Sequence, residues 1–521
     1  MTGVRIEGLS VTGPDRVMVA PFDAEIAAGR TLALIGESGS GKTLSAKALV
    51  GLLPRGFRGA GSARVGETAF ALDGTDAAWR RLRGGTVALL LQDPFTSLSP
   101  VHRCGAQIVW TIEAARGRRL SRAERDAEIA ARLAEVKLPA EVARAYPHQL
   151  SGGMRQRVAI AAALAADPRL LIADEPTTAL DASNQAEILD LLRSIQRERH
   201  LCVLLISHDL GLVRGRTDEV LVMRHGEVVE RGATATVLAE PRHPYTKALL
   251  EADPVLSERL APATAAPVGE ALVSVRGLGK RFGDRTVLDD VSLDIPAGRM
   301  VGIVGESGSG KSTLARCIAG LEHEDAGTIA FDGAALAPGR GSRTPQQMQI
   351  VFQDPYSTLN PMMSVGAILR EALGVAGRPA SEVGTLLETV GLGLEFAGKR
   401  PAQLSGGQRQ RVAIARALAP QPRLLICDES VSALDVSVQA QILGLIGRLR
   451  DELGIAVLFI SHDLAVVRLL ADEVTVLWRG RVVESGPCER VLTAPEHEYT
   501  ALLVAAAHRE NTSGAASDRE E

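Results

Sequence analysis

Two lysines in this chain of 521 residues each close a glycine-rich run of one design. Gly36-Glu37-Ser38-Gly39-Ser40-Gly41-Lys42-Thr43 and Gly305-Glu306-Ser307-Gly308-Ser309-Gly310-Lys311-Ser312 both read GxxxxGK[ST]. Such a loop needs its glycines because the backbone must wrap round phosphates at φ values that a Cβ resists. Its amides and the following helix N-terminus face the anion. Lys42 and Lys311 are placed to reach the β- and γ-phosphates, and Thr43 and Ser312 to help hold Mg²⁺. One match is compatible with a flexible Gly/Ser turn; two, each between an apolar strand and a helical pattern, are not.

The rest of a phosphoryl-transfer set is repeated as well. Leu170-Leu171-Ile172-Ala173-Asp174-Glu175 and Leu424-Leu425-Ile426-Cys427-Asp428-Glu429 are apolar strands ending in an acidic pair. Alone, such a pair is a solvated turn; downstream of a phosphate loop, Asp174 and Asp428 suit Mg²⁺ and its water. Glu175 and Glu429 are then placed to polarise the attacking water as general bases. His208 and His462, in Ser-His-Asp at the end of a neighbouring strand, suit a contact to the γ-phosphate. Ser151 and Ser405, in Leu-Ser-Gly-Gly-x-Arg-Gln-Arg, open helices whose glycines, Gly153 and Gly407 among them, admit close approach of an anion. Each half already has its own phosphate loop, so the phosphate for that helix is expected from the other half.

The elements that must position these groups are themselves duplicated. The signature serines, the acidic pairs and the histidines all repeat at 254 residues, and the phosphate loops at 269. The first half is therefore longer, with extra material expected around 54–85 and 114–131. Repeats of this length are whole domains. Strands are expected at 31–35, 170–173, 203–206, 300–304, 424–427 and 457–460, with helices at 43–53 and 312–321. Strands alternating with helices imply an α/β fold with a mostly parallel sheet. The boundaries expected are 1–252 for the first domain, an Ala/Pro-rich linker at 253–270, the second domain at 271–507, and a disordered polar tail at 508–521.

Composition narrows the class. Aromatics are only 3% of residues, so small aliphatics must fill the cores, as in α/β layers. The formal charge is −4, with no stripe of Lys or Arg to support nucleic-acid binding. Five scattered cysteines (Cys104, Cys202, Cys317, Cys427, Cys488) form no CxxC pair, which argues against a disulfide framework, zinc or iron–sulfur centre. The start of the chain shows no secretory h-region, and its apolar runs fall short of the ~18 residues that cross a bilayer, so a cytosolic place of work is expected.

Together the motifs resemble the ATP-binding-cassette (ABC) family, whose signature is LSGGQ, over nearly the full length of both halves. The resemblance implies tandem P-loop NTPase domains, each a RecA-like core with an antiparallel β subdomain and a helical signature subdomain. It implies intramolecular head-to-tail pairing around two ATP sites. One site would combine Lys42, Thr43, Gln92, Asp174, Glu175 and His208 with Ser405 and Gly407. The other would combine Lys311, Ser312, Gln353, Asp428, Glu429 and His462 with Ser151 and Gly153. Gln92 and Gln353 are implied metal contacts, and Asp181 and Asp435 match the D-loops.

Gln92 to Pro100, Gln353 to Pro361 and His243-Pro244-Tyr245-Thr246-Lys247-Ala248-Leu249-Leu250 resemble the ATPases of dipeptide, oligopeptide, glutathione and nickel importers. His497-Glu498-Tyr499 is a weaker version of the last motif. That branch implies docking on two transmembrane permease subunits through the Q-loop and helical regions, at the cytoplasmic face of the membrane. It also implies an extracytoplasmic solute-binding protein. A ribosome-associated tandem-cassette factor is the alternative, disfavoured by the short linker. Four departures stand out: Phe282 fits the family's adenine-stacking aromatic while Gly13 takes that position in the first half, Met154 replaces the signature Gln, Ser430 replaces the usual Pro, and no cysteine cluster accompanies the His-Pro-Tyr segment. Loss of stacking predicts weaker ATP binding at the first phosphate loop.

Overall fold

The structure, a computed structural model, describes residues 3–92, 97–177, 182–207, 210–251, 271–353, 358–431, 434 and 436–512. Residues 3–251 fall in one compact unit and residues 271–508 in another.

In the first unit a six-stranded sheet runs Glu227–Ala233, Glu219–Arg224, Thr31–Ile35, Cys202–Ser207, Leu170–Asp174, Val87–Leu90. All neighbours pair in parallel except the edge strand Glu227–Ala233. Every residue of Thr31–Ile35 is buried, as a parallel strand covered on both faces requires. Its alternation feeds two cores: Leu32 and Leu34 pack with the antiparallel sheet, Ala33 and Ile35 with the C-terminal helices. The antiparallel sheet runs Val17–Ile26, Val4–Thr12, Arg58–Val65, Thr68–Ala71. The second unit repeats both orders, Met348–Val351, Leu424–Asp428, Ala456–Ile460, Met300–Val304, Glu473–Trp478, Arg481–Pro487 for the large sheet and Arg285–Pro296, Ala271–Phe282, Ala326–Phe331, Ala334–Leu336 for the small one.

In both units strand order reverses at the strand that precedes the phosphate loop, which places that loop at the topological switch point. The α/β reading holds. Its helix ends do not: the helices after the loops are Lys42–Leu49 and Lys311–Ile318, shorter than the apolar pattern suggests. Gly51 (φ 63°) and Gly320 (φ 71°) turn left-handed just beyond them, a standard way to end a helix. The first half's extra residues build the helix Asp76–Leu82, where the second half has one 3₁₀ turn at Arg340–Ser342. They also lengthen Arg122–Glu135 to 14 residues, against 7 in Val383–Thr389. The last helix, Glu498–Thr512, runs past 507; the linker at 253–270 and the tail from 513 lie outside the described residues.

All five cysteines are buried and free. Burial pushes the Cys427 thiol up to about 12, so it behaves as a core residue rather than a nucleophile. Among the described residues no group of three or more His, Cys, Asp or Glu could hold a metal, and no helix is long and apolar enough to cross a membrane.

Candidate active sites

Each phosphate loop leaves the carboxyl end of its central strand and turns on three left-handed glycines. These are Gly36, Gly39 and Gly41 (φ 143°, 79°, 105°) and Gly305, Gly308 and Gly310 (φ 151°, 82°, 108°). A Cβ on Gly36 would lie 2.1 Å from the Met223 carbonyl oxygen, and one on Gly305 2.1 Å from that of Leu477, so no other residue fits. Ser38 and Ser307 sit exposed at the loop tips. Inside the loops, buried Lys42 donates from Nζ to the carbonyls of Gly36 (2.6 Å) and Glu37 (2.9 Å). Lys311 does the same to Gly305 (2.8 Å) and Glu306 (2.9 Å). The hydroxyls of Ser40 and Ser309 are buried beside the cradle without a hydrogen-bond partner among the described residues, as expected of a loop built round an anion.

The acidic pairs arrive on the second strand over. Thr43 Oγ1 donates to Asp174 Oδ1 at 3.2 Å, and Ser312 Oγ to Asp428 Oδ1 at 2.8 Å. Burial, with the neighbouring Glu175 charge, pushes Asp174 up to about 6; burial raises Asp428 too, against its bond from Ser312. The next residue turns left-handed in both halves: Glu175 and Glu429 have φ 47°, and their amides donate to Ile206 and Ile460. A non-glycine residue held there is strained, and here the turn aims the carboxylate back over the strand ends. Gln92 Nε2 donates to Glu175 Oε2 at 2.6 Å. Glu429 Oε1 lies 3.6 Å from His462 Nδ1 and 3.9 Å from Lys311 Nζ. The His462 ring holds Glu429 below the usual carboxylate range in spite of burial. Burial in turn opposes the charge on His462, and Glu429 outweighs it, so that pKa is raised. Lys311, Ser312, Asp428, Glu429 and His462 are thus linked within one unit. His208, Asp181 and Asp435 lie outside the described residues, and Gln353 stands exposed just past the edge strand Met348–Val351.

The signature serines cap the helices Gly152–Leu164 and Gly406–Leu418. Ser151 Oγ accepts from the Met154 amide and Ser405 Oγ from the Gln408 amide, both at 3.3 Å. Both serines are exposed, and among the described residues neither bonds to the phosphate loop of its own half. Gly153 and Gly407 are buried; a Cβ on Gly407 would sit 2.3 Å from Val438 Cγ1. Phe282 ends its strand half-exposed, with Lys280 Nζ 5.1 Å from the ring centre. Gly13 lies just past its own strand, where a Cβ would already approach Met18 (3.1 Å) and Phe57 (3.3 Å).

One partner of the phosphate loops escaped the motif reading. The Tyr245 hydroxyl accepts from the Glu37 amide, and the Tyr499 hydroxyl from the Glu306 amide, each at 3.0 Å. Both belong to the His-x-Tyr segments, and the weaker copy builds the same joint. Glu230 accepts from the amides of Arg242 and His243, and Glu484 from those of Glu496 and His497. His243 and His497 Nδ1 then accept from the Tyr amides at 3.1 Å. These are backbone donors, so Glu498 in place of Pro244 changes nothing. The equal His-to-Tyr spacing was the available signal.

Two phosphate-loop ATPase cassettes in one chain, each tied to a C-terminal tyrosine, define the class. Residues 19–178 and 288–432 match the ABC transporter family, and residues 229–286 and 483–519 match the oligopeptide/dipeptide transporter C-terminal region. The chain is 42% identical over 530 residues to the glutathione import ATP-binding protein GsiA of Salmonella paratyphi A, covering 92% of this chain and 84% of that protein. GsiA of Escherichia coli K12 is 42% identical over 531 residues with the same coverage. This chain belongs to the ABC transporter family and is an ATP-binding, ATP-hydrolysing subunit of the importer type. A solved complex of archaeal ribosome recycling factor aABCE1 with ribosomal stalk protein aP1 shares the fold alone (TM-score 0.64, 20% identity, 92% of this chain and 90% of that one). The relatives and the C-terminal region support transport over the ribosome-associated alternative.

Proposed function

We propose that this chain drives import of glutathione or a related small peptide, hydrolysing ATP at two sites on the cytoplasmic face of the cell membrane. The observation that carries this reading is the bond, in each half, between the phosphate loop and the tyrosine of the transporter-type C-terminal region. The identity to glutathione import proteins supports the solute class.

Lys42 and Lys311 would turn from loop carbonyls to phosphate oxygens, a charge-assisted exchange. Thr43, Asp174 and Gln92, with Ser312, Asp428 and Gln353, offer the hard oxygen donors that Mg²⁺ prefers, and the hydroxyl–carboxylate contacts already bring two of them together in each half. When bound, Mg²⁺ supplies positive charge against the phosphates. Glu175 and Glu429 take a proton from the water that attacks the γ-phosphorus, and ADP leaves with its β-oxygen. His462, and His208 in the first half, contact the γ-phosphate. Phe282 stacks the base; Asp181 and Asp435 serve as the D-loop acids. Ser405 with Gly407, and Ser151 with Gly153, close on nucleotide held by the opposite half, because each capped helix offers amides that its own loop does not use. Two permease subunits dock through the Q-loop and helical regions, and a solute-binding protein delivers the cargo.

The test is reconstitution in nanodiscs with two permease subunits and a solute-binding protein of the glutathione-import type. Glutathione should raise ATP turnover severalfold over basal. Stimulation by neither glutathione nor short peptides would reject the solute class.

A further inference from the structure

At the opposite end of the first unit's sheet from the phosphate loop, four arginines line one cavity of 280 Å³. Arg30 precedes the strand Thr31–Ile35 and Asp218 the strand Glu219–Arg224, so the cavity lies at the amino ends of two parallel strands. Arg193 and Arg197 come from the last turns of the helix Ala182–Arg199, and Arg216 from the turn before Asp218.

The charges do not balance. Among the described residues Asp218 is the one acid in the lining, and it is engaged by Arg30 Nη1 at 2.5 Å and by the Thr31 amide at 2.7 Å. Arg193 donates to the Gly215 carbonyl at 2.9 Å, a neutral acceptor. The Arg216 side chain is only 8% exposed; its Nε reaches Asp190 at 3.5 Å, and its Nη1 is buried with no hydrogen-bond partner among the described residues. Burial and the neighbouring Arg197 charge lower the Arg193 pKa. A buried guanidinium with an unmade bond is costly, and like charges gathered round one cavity add to that cost.

The second half shows that the fold does not need this. At the equivalent places Arg193, Arg197 and Arg216 become Gly447, Asp451 and Leu470. There Arg299 and Arg450 each lie 3.7 Å from Asp472, and Arg450 Nε donates to Asp451 at 2.7 Å. Two cations meet two acids. The same scaffold is neutral in one half and carries an excess of positive charge in the other.

We propose that the first-half cavity binds a phosphate-type oxyanion, either inorganic phosphate or the phosphate group of a small metabolite. Its volume suits one such group with a few waters, and guanidinium forks match the oxyanion geometry. The cavity is separate from the ATP-binding loop, so ATP does not satisfy it.

The experiment uses the full chain with ADP saturating both phosphate loops and measures binding of inorganic phosphate and of glycerol phosphate by calorimetry. Wild type should bind at least one of the two, and Arg193→Gly/Arg197→Asp/Arg216→Leu, which copies the second half, should bind at least tenfold more weakly with basal ATP turnover unchanged. Tighter binding of glycerol phosphate identifies a metabolite as the source; binding of inorganic phosphate alone identifies the free ion. Should the triple variant fail to fold, exposed Arg197→Ala should still weaken binding about threefold. Superimposable isotherms for wild type and the folded variants, or no binding to wild type, would overturn the site.

Discussion

The two halves agree around the phosphate loop and part company at the signature helix and at the end of the first antiparallel strand. Strand order, the three left-handed glycines, the strained glutamate at φ 47° and the tyrosine bond to the loop amide are the same in both. At the signature helix they differ. Gln408 Oε1 accepts from the Ser405 amide at 3.0 Å and completes a capping box, while Met154 cannot. At the position proposed to stack the base, the second half has Phe282 where the first has Gly13. The phosphate-loop geometry is twofold, while the side chains at the capping and proposed stacking positions differ between the halves.

The sharpest way to break the comparison is at the glutamates. Glu175→Gln with Glu429→Gln should lower turnover by about 10²–10⁴-fold with ATP binding retained; unchanged turnover would remove both from the base role. Each single variant, assayed the same way, reports whether the halves depend on each other. Nucleotide affinity comes next. Phe282→Ala should weaken binding at the second phosphate loop by about 1–3 kcal/mol and bring it towards the first. Site-resolved titration that finds equal affinities in the wild type would refute the asymmetry. Tyr245→Phe and Tyr499→Phe each remove one acceptor from a loop amide. A loss of about 0.5–1.5 kcal/mol in ATP affinity or stability is expected, similar in the two halves because the joints match. Smallest is Met154→Gln, which should raise the first unit's thermal midpoint by a degree or two through the missing capping bond. No shift there would mean that the box adds nothing at this helix.

Much of this was legible in the residues. The phosphate loops, acidic pairs and signature serines are short local patterns whose backbone requirements are written in glycine, strand and cap residues, and the structure puts each at the element expected. The extra material of the first half was also readable from the unequal offsets, and it appears as longer helices at 76–82 and 122–135. Helix ends were misread because the apolar pattern continues past Leu49 and Ile318, whereas Gly51 and Gly320 stop the helices. The His-x-Tyr segments were readable as motifs but not as loop partners. Tyr245 is more than 200 residues from Glu37, and only packing against Ala33 and Ile35 on one face of the central strand brings its hydroxyl there.

By itself, the order of residues determined which atoms could cradle phosphate, polarise water and cap a helix, since each depends on a few neighbouring positions and their allowed φ values. Tertiary structure decided what lies beside them. It set a tyrosine under the phosphate loop, a histidine against Glu429, and an arginine cluster with one buried guanidinium nitrogen left without a hydrogen bond among the described residues at the far end of the sheet. Parallel strands bring together segments that the chain holds far apart, and no local pattern records which side chains meet across them.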